Sequence, residues 1–169
     1  MSIPRIPSPN VHESALVCPG AHVYGNVTIG AGAFVLFGAV IRAELDRIVI
    51  GTETNIQDNA VFHCDEGAPT LVGNRVTVGH SAVVHGTVVG DRALIGVGAL
   101  TLNHSSLGEG AWLAAGSVLA EGKTIPPWTL AMGVPARTVR DLTPEEIERA
   151  DEGVGHYLAL ASRYREIFG

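Results

Sequence analysis

Residues 89–119 read V-G-D-R-A-L-I-G-V-G-A-L-T-L-N-H-S-S-L-G-E-G-A-W-L-A-A-G-S-V-L, with an aliphatic residue or a threonine at every sixth position. A small residue stands four places after many of these positions. The same period runs through most of the chain; its members are Ile29, Val35, Ile41, Ile50, Ile56, Phe62, Val72, Val78, Val84, Val89, Ile95, Thr101, Leu107, Leu113, Leu119 and Ile125. The steps after Ile41 and Phe62 are longer than six residues, and the step after Val84 is shorter.

A six-residue period with a small partner residue indicates a parallel β-helix. Three short strands wrap a triangular prism, three hexapeptides make one coil, and coils stack about 4.8 Å apart. A β-sandwich would instead show simple alternation and irregular turn spacing. We predict the prism over residues 21–136, an irregular lead-in that caps it over residues 1–20, and a helical segment over residues 137–169.

The segment L-T-P-E-E-I-E-R, residues 142–149, predicts a helix start. Thr143 is the N-cap, Pro144 the first helical residue, and Glu146 completes a capping box. We expect Gly153 and Gly155 to interrupt this helix. A second helix after them is then expected to pack along the prism.

Length and composition exclude several classes of protein. The chain of 169 residues fits one domain with a sizeable core. Its net charge of −6 and pI near 5.6 disfavour nucleic acid and anionic membranes as partners. Cys18 and Cys64 make no disulfide framework, which favours a reducing cytoplasm. We see no signal peptide and no apolar run of about 18 residues that would span a membrane.

Counting along the repeat places three histidines. His63 follows Phe62 and His85 follows Val84, so the two lie one coil apart at the same outward position. They should be close enough to share one metal ion. His80 belongs to the adjacent face, from which it would reach such an ion only on a neighbouring chain. The sequence therefore predicts metal sites between the subunits of a homotrimer.

A polar set gathers near these histidines; it comprises Arg42, Glu44, Asn55, Gln57 and Asp58. By the same count Arg42 lies a coil beneath His63, and Asp58 a coil beneath His80. Some of the set would support the ligands, because metal-binding imidazoles donate their second N–H to a carboxylate or carbonyl. Purely structural roles, as an intersubunit ion pair or as turn residues, remain open for all five.

The other histidines and the nearby cysteine have plainer interpretations. A single histidine on a β-helix face is most often a solvated surface residue. We expect this surface role for the histidines that are not in such register along the repeat, which are His12, His22, His104 and His156. His104 is the strongest exception. Cys64 alternates to the side opposite His63, which predicts a small buried hydrophobe rather than a thiolate ligand.

Three neutral imidazoles would leave a tetrahedral zinc ion one open position, the pattern of a catalytic site. Such an ion lowers the pKa of its water from 15.7 to about 7. Imidazole also suits iron, nickel and copper, so the ligands alone do not identify the metal.

Four stretches of the chain resemble the γ-class carbonic anhydrase family: I-R-A-E (41–44), I-G-T-E-T-N-I-Q-D (50–58), F-H-C (62–64) and V-G-H-S-A-V-V-H-G (78–86). The resemblance implies a homotrimeric left-handed β-helix with a C-terminal helix. It also implies a zinc ion, or iron or cobalt, held between subunits by His63, His80 and His85. The implied activity is that of a carbonate dehydratase, a lyase that hydrates CO2 reversibly to bicarbonate with a metal-bound hydroxide.

The resemblance also implies roles for several neighbours of the site. Arg42 would be the interface arginine, Asn55 and Gln57 would orient solvent, and Tyr157 in the tail would approach the metal. Two features depart from the family pattern. The usual R-G-D is R-A-E here, with Glu44 as the acid. Where the founding type of the family carries a glutamate-rich loop for proton export, this chain has only Asp65 and Glu66, as do relatives with weak hydration activity. The proton would leave through Glu66 or His104.

Two other functions remain open from the sequence. One is a metal-dependent hydrolase such as a thioesterase, or a catalytically weak metal-binding scaffold. The other is a hexapeptide acyltransferase that uses coenzyme A. That enzyme would need one histidine as general base and no register between two of them.

Overall fold

The protein structure, a computed structural model, describes residues 6–168. Its elements in chain order are β1 (Asn10–Val11), β2 (Leu16–Val17), β3 (His22–Ile29), β4 (Phe34–Val35), β5 (Val40–Ile50), β6 (Asn55–Ile56), β7 (Val61–His63), β8 (Thr70–Val72), β9 (Thr77–Val78), β10 (Val83–His85), β11 (Val88–Val89), β12 (Leu94–Ile95), β13 (Leu100–Thr101), β14 (Ser106–Leu107), β15 (Trp112–Leu113), β16 (Val118–Leu119), β17 (Thr124–Ile125), β18 (Thr129–Gly133), β19 (Ala136–Asp141) and α1 (Pro144–Phe168).

The strands wrap around one core as a β-solenoid of about seven turns. An 11-stranded sheet covers two faces of the prism, because β3 and β5 run around the corner between them. We call the first of these the histidine face; it contains the first halves of β3 and β5 with β7, β10, β13 and β16. The 8-stranded sheet is the third face and contains β2, β4, β6, β9, β12, β15, β18 and β19. The predicted fold, a left-handed parallel β-helix with a C-terminal helix, is confirmed.

The residues of the six-residue series form the core. Ile95 and Leu113 are fully buried, and so are the small residues Ala99 and Ala111 between them. Large apolar side chains fill the flat stretches and alanines fill the narrow corners, which explains the alternation of aliphatic and small residues. A core of repeated narrow layers results.

The pairing of strands keeps the register that the sequence predicts. Val84 pairs with Phe62 and His85 pairs with His63, so one coil separates them. The extra residues after Phe62 form a loop closed by a bridge between Asp65 and Ala68. This loop lies outside the ladder, so the positions above and below it still stack.

The ends of the prism differ from the prediction. Strands already begin at Asn10, within the segment 1–20 expected to be irregular: β1 pairs with β3 and β2 with β4. Residues 1–5 lie outside the described range. At the other end β18 still pairs with β15 after two prolines, and the chain then turns back as the antiparallel strand β19. The six-residue spacing in fact extends from Ile29 back through Val23 and Val17 to Val11, so the prism begins earlier in the chain than predicted. The antiparallel strand β19 does not follow this period.

The predicted start of the helix is observed. The Glu146 backbone N–H donates to Thr143 Oγ1 at 3.3 Å, and the Thr143 N–H donates to Glu146 Oε2 at 3.0 Å. Arg140 also donates two hydrogen bonds to the Glu146 carboxylate, at 2.7 and 2.8 Å. These contacts, that of Arg140 foremost, lower the pKa of Glu146 to about 2. Glu146 is therefore negatively charged at neutral pH, and a negative charge in the first turn interacts favourably with the positive end of the helix dipole.

The expected interruption of the helix is wrong: α1 runs unbroken through Gly153 and Gly155. Each glycine costs about 1 kcal/mol relative to alanine in a helix. Tertiary contacts offset this cost, because Val154 is buried and Asp151 accepts a 3.3 Å hydrogen bond from Arg92 Nε. No described helix is long and apolar enough to cross a membrane.

The helix runs back along the third face toward the first coil. With 25 residues it is about 38 Å long, close to the height of seven stacked coils. Its last turns pack on the third face, where Tyr164 meets Phe34 edge-on at 5.7 Å between ring centroids. Tyr157 and Leu160 also pack against a buried cluster that consists of Leu16, Cys18, Phe34, Leu36 and Ala161.

Replacing Gly153 by alanine should stabilise the protein. A Cβ there would meet no atom within 4 Å, so the gain in helix propensity is not offset by a clash. We expect about 1 kcal/mol, equivalent to about 2–4 °C in Tm, measured by thermal unfolding. Gly51→Ala is the matched control and should destabilise, because its Cβ would overlap the Gly73 carbonyl. A loss of stability in Gly153→Ala would contradict the open space along this helix.

Candidate metal centre

Two imidazoles converge on the histidine face. His63 and His85 are paired residues of β7 and β10, with ring centroids 5.1 Å apart. His63 Nδ1 and His85 Nε2 are 3.0 Å from each other. Only 17% of the His63 side chain and 25% of the His85 side chain are exposed. Alternation along each strand turns Phe62 and Val84 into the core and these two side chains outward.

The surroundings of His63 favour its neutral form. Burial lowers the pKa of the imidazole, the Arg42 guanidinium and His85 lower it further, and Asp65 opposes the shift. A histidine whose pKa lies below its ordinary value of about 6.5 is neutral at pH 7. Its nitrogen lone pair is then available to a metal ion.

Glu44 lies on the Nε2 side of the His63 ring. Its carboxylate forms an ion pair with Arg42, and Oε1 is 3.5 Å from His63 Nε2. Among the described residues, Glu44 Oε2 and His63 Nε2 are buried without a hydrogen-bond partner. Unsatisfied buried polar atoms are uncommon and call for an explanation. Here they mark a polar pocket whose hydrogen-bonding capacity the chain alone does not satisfy.

The pair fits a metal ion. Two nitrogens bound to one tetrahedral zinc ion are about 3.3 Å apart, close to the 3.0 Å between His63 Nδ1 and His85 Nε2. With Nδ1 as ligand, the hydrogen of His63 would reside on Nε2 and face Glu44 Oε1. The arrangement of carboxylate, histidine and metal is the usual way in which proteins orient a ligating imidazole.

Two further residues complete the cluster, and the sequence interpretation had not placed them there. Asp65 joins His63 and His85 in a group whose possible ligand atoms all lie within 4.8 Å of one another. Its Oδ2 accepts a 2.7 Å hydrogen bond from Asn103, and this bond lowers the pKa of Asp65. Asn103 Oδ1 in turn lies 2.8 Å from His85 Nδ1. Counting one coil up from Gly86, the residue after His85, would have found Asn103, because Thr101 pairs with Val84; the loop that carries Asp65 has no repeat to count.

His80 lies on the corner between the third face and the histidine face. It does not belong to the group formed by His63, Asp65 and His85. The Asp58 carboxylate is 2.9 Å from His80 Nδ1. Because a carboxylate only accepts hydrogen bonds, the neutral imidazole carries its hydrogen on Nδ1 and leaves Nε2 bare. With 45% of the side chain exposed, Nε2 can face a partner outside the chain.

Asn55 and Gln57 are buried beside His80. Gln57 Oε1 accepts the His80 backbone N–H at 3.2 Å, and Gln57 Nε2 donates to Asn55 Oδ1 at 3.3 Å. Asn55 Nδ2 donates to Thr77 Oγ1 at 2.9 Å. These bonds hold the corner that presents His80. The Gln57 amide has a second N–H, for which the described residues offer no acceptor.

The remaining predicted residues lie farther out. Tyr157 is half-buried on the helix, where burial and the Asp58 charge raise the pKa of its phenol. Tyr157 therefore lies at the corner that carries Asp58 and His80, and not beside the pair of His63 and His85. Glu66 and His104 are exposed in turns. Cys64 is fully buried and burial raises the pKa of its thiol, so its predicted role as a small hydrophobe is confirmed.

No protein-family model matches the chain. It is 40% identical to gamma carbonic anhydrase 2, mitochondrial, of Arabidopsis thaliana over 160 residues, which are 91% of this chain and 58% of that protein. It is 37% identical over 160 residues to the carbonic anhydrase of Geobacillus kaustophilus, covering 95% of this chain and 88% of that one. The chain belongs to the γ-class carbonic anhydrase family.

The family assignment made from the sequence is thereby confirmed. The relatives are named carbonic anhydrases, that is carbonate dehydratases, which are lyases. A solved structure, a hexapeptide transferase family protein from Anaplasma phagocytophilum, superposes with a TM-score of 0.89 at 37% identity and covers 92% of each chain. Since the relatives include a mitochondrial protein, the cytoplasmic location stays a prediction.

In this γ-class family member, Arg42→Gln should raise the pKa of His63 in the metal-free protein. The substitution removes a positive charge that opposes protonation and releases Glu44 beside the ring. In the wild type, the lowered pKa means that folding loses stability as pH falls below the ordinary histidine value. NMR titration of the histidine ring protons measures the shift; Arg47→Gln is the control. An unchanged or lower pKa in Arg42→Gln would contradict the electrostatics described.

Proposed function

We propose that this protein catalyses the reversible hydration of CO2 to bicarbonate at a metal site shared between the subunits of a homotrimer. The observation that carries the proposal is the stacked pair, His63 Nδ1 and His85 Nε2, 3.0 Å apart in a half-buried pocket. Membership of the γ-class family supports it. His63 and His85 of one subunit and His80 of the next would hold the ion, with zinc as the first candidate and iron or cobalt as alternatives.

A divalent metal ion held by these imidazoles would supply hydroxide from water near pH 7, and hydroxide is the nucleophile that hydration of CO2 requires. The chain's contribution is to keep His63 neutral and to orient the ring of His80. Burial and Arg42 keep His63 neutral, and Asp58 leaves Nε2 of His80 bare.

The surface around the pair supports a second copy of the chain as the third ligand's source. Tyr24, Val61 and Leu102 lie on the histidine face with 53%, 39% and 37% of their surfaces exposed. Val97, one coil above His80, is 52% exposed. Large apolar side chains around a polar site are typical of a face covered by another subunit.

Other residues have supporting roles in the proposed reaction. Gln57 accompanies His80, and its second amide N–H would donate to an oxygen of CO2 as negative charge develops there. Asn55 holds Gln57 in place. Arg42 and Glu44 would orient His63, and Tyr157 would close the site from the helix of the adjoining subunit. Glu66, an exposed carboxylate of the loop beside the site, would pass the proton to solvent, with His104 as the alternative.

Complementation between two inactive variants tests the shared site. Trimers of His63→Ala or of His80→Ala alone should each lack every complete site. In a mixed trimer one interface joins an intact histidine pair to an intact His80. Random assembly from equal amounts therefore restores about a quarter of the sites. Metal per chain, by atomic emission on protein without a histidine tag, and CO2 hydration by stopped flow should both return to that level.

Co-expression of His63→Ala with His85→Ala is the matched control and should restore nothing, because both variants damage the same side of the interface. Full metal content in His80→Ala alone would contradict the proposal and favour a site within one chain that uses Asp65. A metal-replete trimer that hydrolyses thioesters without hydrating CO2 would favour the hydrolase. Acyl transfer from acyl-coenzyme A without metal would favour the acyltransferase.

A further inference from the structure

Asn103 stands one coil above Gly86. Thr101 pairs with Val84, so the ladder places Asn103 two positions later, over Gly86. A Cβ at Gly86 would overlap the Asn103 carboxamide oxygen. The glycine therefore makes the space in which the Asn103 side chain lies beside His85. The short step from Val84 to Val89 in the repeat falls at this point.

The Asn103 carboxamide links Asp65 to His85. Its Nδ2 donates to Asp65 Oδ2 at 2.7 Å, and its Oδ1 lies 2.8 Å from His85 Nδ1. The direction of both bonds follows from Asp65, because an ionised carboxylate only accepts hydrogen bonds. The NH2 group of Asn103 must then face Asp65, and its carbonyl oxygen must face His85. A carbonyl oxygen also only accepts, so His85 Nδ1 carries the hydrogen.

We propose that Asn103, held by Asp65, is a positioning residue that determines which ring nitrogen of His85 binds the metal ion. With the hydrogen fixed on Nδ1, Nε2 presents its lone pair toward His63 Nδ1, 3.0 Å away. The inference rests on the proposed function, since it concerns the same metal. It extends that proposal to two residues with no earlier role, and it makes Asp65 a support of the ligand set rather than a ligand.

A second imidazole of the site is arranged by the same logic. Asp58 faces Nδ1 of His80 at 2.9 Å and leaves Nε2 bare. His80 has its carboxylate in direct contact, whereas His85 has an amide between its ring and the carboxylate of Asp65. The Asn103 amide fixes which nitrogen of His85 donates a hydrogen bond, and it does so without bringing a full negative charge next to the ring. Groups that orient ligating imidazoles in this way typically change metal affinity 10–100-fold when removed, as a rough range.

The test uses the whole chain with Asn103→Leu, which keeps the volume and removes both hydrogen bonds. In metal-free wild type, 15N NMR of labelled histidine, at a pH where the imidazoles are neutral, should show the hydrogen of His85 on Nδ1. Asn103→Leu should lose that preference and bind zinc about 10–100-fold more weakly in a chelator competition. The double variant Asp65→Asn with Asn103→Asp reverses the link and again places an acceptor on His85 Nδ1. It should restore both the tautomer and the affinity to within a few-fold.

Asn74→Leu is the matched control. Asn74 also joins two coils and donates to an aspartate, Asp91, but none of its hydrogen bonds involves a histidine. Its substitution should leave the His85 tautomer and zinc affinity unchanged. The proposal is overturned if wild-type His85 carries its hydrogen on Nε2, or if Asn103→Leu matches Asn74→Leu in both measurements. If Asn103→Leu does not fold, the double variant decides: a folded double variant without the Nδ1 hydrogen overturns the proposal. Because the tautomer is read without metal, failure of the CO2 hydration proposal would not alter this result.

Discussion

Parallel, in-register pairing of successive coils stacks each side chain on its counterpart one coil away, and the rest of the structure depends on this constraint. Inward positions build a column of aliphatic residues, of which Ile95 and Leu113 are fully buried members. Outward positions build columns as well. His63 and His85 occupy one such column, so their rings meet without any long-range loop to bring them together.

Stacking two imidazoles has an electrostatic consequence. Both cannot carry a positive charge at 3.0 Å without strong repulsion, so the site favours neutral rings and, with them, a metal ion. The residues around the pair act in the same direction. Burial and Arg42 lower the pKa of His63, while carboxylates and an amide determine where the ring hydrogens reside. The stacked coils position the two imidazole rings, and the polar residues around them determine their protonation state.

The sequence predicted what the repeat controls. Counting in sixes was enough to place the core, the stacking of His63 on His85, and His80 on a different part of the prism. It failed where no period exists. The continuity of α1 through Gly153 depends on tertiary contacts such as the ion pair of Asp151, and the loop that brings Asp65 to the site interrupts the six-residue period. The proposed role of His80 depends on a second chain, whose position a count along one chain does not give.

We propose that the stacked imidazoles of one subunit and His80 of the next hold a single ion. Anomalous diffraction at the metal absorption edge, from crystals of the metal-loaded protein, tests this most directly. We expect one anomalous peak per chain, bonded to His63 and His85 of one subunit and to His80 of its neighbour. A peak bonded to Asp65 and the histidine pair within a single chain, or no peak between these rings, would contradict it.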